Sequence, residues 1–170
     1  MEFLNNFKRV KKKAHYIKWR IGCPGEVIYN KLYDVKYIVD KHECVVMQGT
    51  QGELYVTTLN KLKNDYIITI KSDKLGQEID RAFNHMQKGK WFRGTARVGK
   101  KYYWATKVPY FTSAEIITKS GIRMKANTSI LSGSGDFIVC TDMDGKPNLN
   151  DAWIVNGTVF LGTYDHRKFK

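Results

Sequence analysis

No stretch of this chain approaches the roughly 18 consecutive apolar residues of a transmembrane helix. The N-terminus also lacks the apolar core and small-residue cleavage site of a signal peptide. A soluble, cytoplasmic protein without membrane contact is therefore expected. Cysteine is scarce: Cys23, Cys44 and Cys140 are odd in number, far apart and never in C-x-x-C spacing, which excludes a disulfide framework and a zinc knuckle. Buried thiols are expected instead. The familiar signatures of chemistry are missing too, with no Walker loop, no G-x-S-x-G, and His15, His42, His85 and His166 scattered outside any H-x-x-x-H arrangement. Gly133-Ser134-Gly135 has the look of a phosphate-cradling loop, but no lysine or helix follows it, so it reads as a strand-entry turn. No catalytic residue, cofactor or metal site is expected.

Acid is the other scarcity. The 170 residues carry 29 Lys+Arg against 16 Asp+Glu, a net charge of +13, and residues 81–114 contain no acid at all. Residues 1–20 contribute +6 and residues 81–114 contribute +8, while the rest is nearly neutral. Such clustering is the electrostatic footprint of a polyanion partner, because each phosphate neutralised releases condensed counterions. In the second segment the charges are interleaved with Trp91, Phe92, Tyr102, Tyr103 and Trp104, and rings beside Arg and Lys suit stacked or flipped bases. Alternation places Tyr102 and Trp104 on one strand face and Tyr103 on the other. The candidate nucleic-acid-binding residues are Lys11, Lys12, Lys13, Lys18, Arg20, Lys88, Lys90, Trp91, Arg93, Arg97, Lys100, Lys101, Tyr103 and Trp104.

With 42% apolar and 13% aromatic residues, the chain can bury roughly two-thirds of its unfolded surface and form a core. Leu75, Ile79, Phe83 and Met86 recur at helical spacing after Ser72 and before Gly89, which predicts an amphipathic helix near 73–88 with Ser72 and Gly89 as its caps. Most other segments are rich in Val, Ile, Thr and aromatics and are punctuated by turn pairs such as Asp144-Gly145 and Asn156-Gly157. The fold class is α+β, mostly antiparallel β-sheet or small barrel-like halves. The expected organisation is a basic arm or helix over 1–20, a β-rich half over 21–71, the helix over 72–89, and a second β-rich half over 90–170, with one compact domain as the alternative. In the arm, Phe3, Leu4, Phe7 and Val10 stand at helical spacing.

One local pattern occurs twice. Gly49 to Tyr55 followed by Leu59, Leu62 and Tyr66 reads as strand, tight turn, strand, helical turn and anchoring tyrosine; Gly135 to Val139 leads through Asp144-Gly145 and Trp153 to Phe160 and Tyr164 in the same way. Leu62 with Tyr66, and Phe160 with Tyr164, stand one helical turn apart, so each pair can staple a short turn onto a hairpin.

These residues resemble a small module common in bacteriophage genomes, whose members carry a Gly-Asp-Tyr-Ile type strand, a Gly-Glu turn and a terminal Phe-x-x-x-Tyr. Gly135-Asp136-Phe137-Ile138 and Phe160 to Tyr164 match its ends, and Gly52-Glu53 with Leu62 to Tyr66 match its middle and end, while the insertion Lys146 to Ala152 departs from its spacing. The resemblance implies a phage or prophage origin. With the two basic segments it points to a non-enzymatic binder of nucleic acid, RNA or DNA, or of a host nucleoprotein such as a CRISPR effector, acting as an anti-CRISPR-like inhibitor. The alternatives are a small metal-dependent nuclease built on Asp136, Asp142, Asp144 and Asp151, a nucleotide-sequestering module, and a virion structural component.

Overall fold

The computed structural model describes residues 2–40, 43–99, 101–109, 112–126 and 135–169. In chain order the strands are β1 (Lys8–Lys11), β2 (Tyr16–Ile21), β3 (Val27–Asn30), β4 (Val35–Ile38), β5 (Cys44–Gln48), β6 (Leu54–Thr58), β7 (Tyr66–Ile67), β8 (Phe92–Ala96), β9 (Tyr102–Lys107), β10 (Glu115–Ile117), β11 (Arg123–Lys125), β12 (Phe137–Met143) and β13 (Lys146–Val155). The helices are α1 (Leu59–Asp65), α2 (Ser72–His85) and α3 (Gly157–Thr163). The class is α+β with antiparallel strand dominant, in agreement with the composition.

The chain divides into two compact units, a continuous one over 14–97 and a split one made of 1–13 and 98–170. In the continuous unit the sheet runs β6-β5-β2-β8-β7. Ile17, Trp19 and Ile21 alternate inward from β2 to meet Val45, Met47, Leu62, Tyr66 and Ala96, and Leu75, Ile79 and Phe83 of α2 pack against the same core. The β3–β4 hairpin lies over β6, enclosing Ile28, Val39, Cys44 and Val46. In the split unit the sheet runs β1-β9-β12-β13, and Tyr164 forms an antiparallel bridge to Lys12. Its core gathers Val10, Tyr103, Ala105, Phe137, Val139 and Phe160, with the Phe137 and Phe160 rings stacked at 3.8 Å. Here the β10–β11 hairpin lies against β13.

The two units repeat one another residue for residue in their pairing. Arg93 pairs with Lys18 as Arg9 pairs with Trp104, and Gly94 with Ile17 as Val10 with Tyr103. Trp19 faces Met47 as Ala105 faces Val139, and Met47 faces Tyr55 as Val139 faces Trp153. Thr58 caps α1 and Asn156 caps α3; the Tyr66 amide then closes on the Leu62 carbonyl, and the Tyr164 amide on the Phe160 carbonyl. Tyr66 pairs with Ala96, and Tyr164 with Lys12. The stapled turns expected from Leu62/Tyr66 and Phe160/Tyr164 are thus both present. What the repeat also reveals is an exchange: the first strand of the first copy, β1, completes the split unit, and the first strand of the second copy, β8, completes the continuous one.

This exchange corrects the expected organisation. Residues 1–20 are neither a helix nor a free arm, because after a 3-10 turn at Glu2–Asn5 they form β1 and β2, each hydrogen-bonded into a sheet. The boundaries at 20, 71 and 89 are replaced by breaks at 13 and 97. Strand pairing is decided by partners far away in the chain, and local charge says nothing about them. The helix begins one residue before the predicted start, so Ser72 is its first residue rather than its cap, and Lys71 at the cap position makes no side-chain hydrogen bond to the helix. It ends on Met86 in the left-handed region at φ 52°, not on Gly89. Gly89 is instead a point of close approach, where a Cβ would lie 2.1 Å from a carboxylate oxygen of Glu78. The Asp144-Gly145 turn is as expected, with positive φ at both residues closing a two-residue hairpin between β12 and β13. The Lys146 to Ala152 departure reappears as a register jump, Cys140 pairing with Ala152 but Thr141 with Asn148.

Candidate nucleic-acid interface

On the outer face of the split unit's sheet, β1 and β9 set cations against rings. Their antiparallel register puts Arg9 opposite Trp104 and Lys11 opposite Tyr102. The Arg9 guanidinium centre lies 5.1 Å from the Trp104 ring and 5.5 Å from the Tyr102 ring, and Lys11 Nζ lies 4.5 Å from Tyr102. Lys11 Nζ also donates to the Gly99 carbonyl at 3.0 Å. The Trp104 indole is held in place by donating from Nε1 to Asp142 Oδ1 at 2.8 Å. Tyr102 is 43% exposed, whereas Tyr103, one residue on, is 4% exposed and stands edge-on to Trp153 and Tyr164 in the core. Tyr103 therefore leaves the candidate surface. The Lys12 and Lys101 ammonium groups lie 5.4 and 5.2 Å from its ring.

The continuous unit carries a related face on β2 and β8. Tyr16, Lys18 and Arg20 alternate outward from β2 beside Trp91 and Arg93. The Arg93 guanidinium lies 4.8 Å from the Tyr16 ring, and Tyr16 is 61% exposed. Lys18 and Lys90 are exposed, and Arg97 donates from Nε to the Lys63 carbonyl. Arg20 behaves differently. It is 5% exposed, lies 5.3 Å from the Trp91 ring, and is clamped by both oxygens of Glu26 at 3.0 and 2.5 Å. Burial opposes ionisation of Glu26, yet the Arg20 hydrogen bonds, the Cys23 amide and Lys88 at 3.6 Å outweigh it and hold its carboxyl below the ordinary range. Arg20, expected to bind phosphate, is already neutralised inside the protein.

The two strands of the basic-aromatic segment, β8 and β9, do not form a hairpin with one another, because they belong to different sheets. Lys88, Lys90, Trp91, Arg93 and Arg97 stand in the continuous unit; Lys11, Lys12, Lys13, Lys101, Tyr103 and Trp104 stand in the split one. Lys100, His42 and the Gly133-Ser134 part of the glycine loop lie outside the described residues. Arg9, Tyr102 and Tyr16 were not among the binding residues expected from sequence. No single sequence offset gives their equivalence, since Arg9 and Arg93 stand 84 residues apart and Tyr16 and Tyr102 stand 86 apart.

The aspartates do not converge. Asp142 accepts from Trp104 and from the Gly145 amide, Asp151 accepts from Thr141 Oγ1, and Asp136 is buried. Among the described residues no group of three or more His, Cys, Asp or Glu is placed to hold a metal ion. A cleft of about 280 Å³ in the continuous unit is lined by Lys63, Tyr66, Ile68, Leu75 and Arg97 among others, but it offers one ring and not aromatic walls. The three thiols are free and buried, and burial raises Cys140 to about 11, which leaves it protonated and unreactive. Among the described residues no helix is long and apolar enough to cross a membrane. No protein-family model matches this chain, and no curated protein or solved structure matches it significantly.

Proposed function

We propose that this chain binds single-stranded nucleic acid on the outer sheet face of the split unit. The observation that carries this reading is Arg9 lying over both Tyr102 and Trp104 with Lys11 beside them. Rings backed by a guanidinium present a flat π-face and a positive charge together, which matches an unpaired base and its phosphate. A duplex hides its base faces, so the same arrangement favours single strands. The surrounding charge acts in the same sense, the split unit having 15 Lys+Arg against 7 Asp+Glu. The anti-defence role implied by the phage-module resemblance is compatible with such binding: a chain that occupied a guide RNA or an unwound target strand would withhold it from a host nuclease. A DNA mimic would need the opposite charge.

The test is fluorescence anisotropy with labelled single-stranded RNA, single-stranded DNA and duplex DNA across a salt series. Single strands should bind more tightly than duplex, with affinity falling as salt rises. Arg9→Ala should weaken binding and flatten the salt slope by about 0.7 for its lost phosphate contact. Tyr102→Ala should weaken binding by roughly 5- to 150-fold with little change of slope, since stacking is worth about 1–3 kcal/mol per base. Wild-type protein that ignores all three probes at physiological salt, or binding untouched by both substitutions, would overturn the reading.

A further inference from the structure

We infer that the continuous unit holds a second site of the same chemistry, built on Arg93, Tyr16 and Lys18, so that one chain binds two short single strands. This rests on single-strand binding by the split unit. The argument is one of register. Arg93 stands opposite Lys18 as Arg9 stands opposite Trp104, and in each unit the tyrosine two residues before that partner, Tyr16 or Tyr102, lies under the arginine. The guanidinium-to-ring distances are 4.8 Å for Arg93 on Tyr16 and 5.5 Å for Arg9 on Tyr102. Both surfaces are left open for the same reason. The inserted hairpins, β3–β4 and β10–β11, lie on β6 and β13, on the far side of each sheet from β8 and β1.

The exchanged first strands give each site a mixed parentage. Arg9 comes from the first copy and stacks on Tyr102 of the second, while Arg93 comes from the second and stacks on Tyr16 of the first. A random surface arginine would not find a tyrosine at the same register position in both units, on strands brought together by different partners. The sites are alike but not identical. Where the split unit adds the Trp104 ring, the continuous unit has the Lys18 ammonium. Lys11, opposite Tyr102, is matched by Thr95 opposite Tyr16, so Lys18 makes up for the missing lysine and the second site keeps two cations while losing a stacking surface. It should bind about tenfold more weakly, for the lost stacking surface, with a similar dependence on salt.

The experiment is calorimetric titration of the full chain with oligothymidylate of about six nucleotides, short enough for one site. Wild-type protein should take up two oligonucleotides, one tightly and one more weakly. Arg93→Ala with Tyr16→Ala should abolish the weak event alone, and Arg9→Ala with Tyr102→Ala the tight event alone. Arg93→Gln, which keeps the aliphatic stem, serves if the double variant does not fold as judged by its unfolding midpoint. One oligonucleotide per chain, lost with Arg9 and Tyr102 but indifferent to Arg93 and Tyr16, would overturn this inference and leave the first reading standing. No uptake by wild-type protein would overturn both.

Discussion

The continuous and split units use one pairing scheme and fill it with different side chains. At the position where β9 sends Tyr103 into the core against Val10, β2 sends Ile17 against Gly94, and a Cβ on Gly94 would lie 2.8 Å from the Ile17 Cδ1. Where β2 fills its interior with Trp19, β9 has Ala105, and Trp153 faces Val139 where Tyr55 faces Met47. Bulk is traded between neighbouring strands while the register stays fixed. Core volume is therefore conserved locally and not position by position, as interiors packed to crystal-like density require. The outer faces differ in kind: Arg20 in the continuous unit is locked to Glu26, and its counterpart by register in the split unit is the buried Thr106.

The largest expected effect comes from truncating the two stapling residues. Phe160→Ala should cost about 4 kcal/mol, and Leu62→Ala about 3 kcal/mol, because each is fully buried and Phe160 also stacks on Phe137 and Tyr164. Amide hydrogen exchange should localise the losses, Phe160→Ala exposing β9 and β12, Leu62→Ala exposing β2 and β5. Both variants exposing the same strands would break the comparison.

Next is the Arg20–Glu26 pair, which the split unit lacks. Glu26→Gln leaves a buried guanidinium without its counter-charge and should cost about 3 kcal/mol at pH 7. The Glu26 carboxyl lies below its ordinary value of 4.5 in the folded chain, so on acidification the unfolded chain takes up the proton first. The stabilisation is therefore full above 4.5 and is lost as the pH falls through the folded value. Urea midpoints of wild type and Glu26→Gln should differ at pH 7 and draw together as the pH falls below 4.5; a constant gap would place the effect in packing alone.

The helix caps should cost about 1 kcal/mol each when replaced by alanine. Asn156→Ala should exceed Thr58→Ala, since Asn156 Oδ1 accepts from the Thr158 and Val159 amides and Thr58 Oγ1 accepts only from that of Lys61. Thermal unfolding of the two variants would show the order. Smallest of all, Glu115→Gln, which breaks an exposed pair with Arg123 on the β10–β11 hairpin, should change stability by about 0.5 kcal/mol or less.

Local chemistry was readable where it is self-contained. The Asp144-Gly145 turn, the α2 face of Leu75, Ile79 and Phe83 and the two Tyr-anchored turns each depend on residues within one or two turns of chain. The N-terminal segment misled for the opposite reason. Tyr16 to Ile21 alternates cleanly, with Ile17, Trp19 and Ile21 inward, but its lysines and arginines drew it into a supposed basic arm. Charge reports the outer face of a strand and is silent about the inner one. Likewise Arg20 reads as a free cation until Glu26, six residues away and across a turn, is brought against it.

By itself, the sequence determined the basic charge, the strand-rich class and the repeated staple, because composition and short-range periodicity carry them. Only the tertiary structure decided that β1 and β8 change places between the copies, and so which arginine meets which tyrosine. Antiparallel pairing joins strands through backbone hydrogen bonds whose partners are indifferent to distance along the chain; which edge a strand completes is set by the packing of the whole unit.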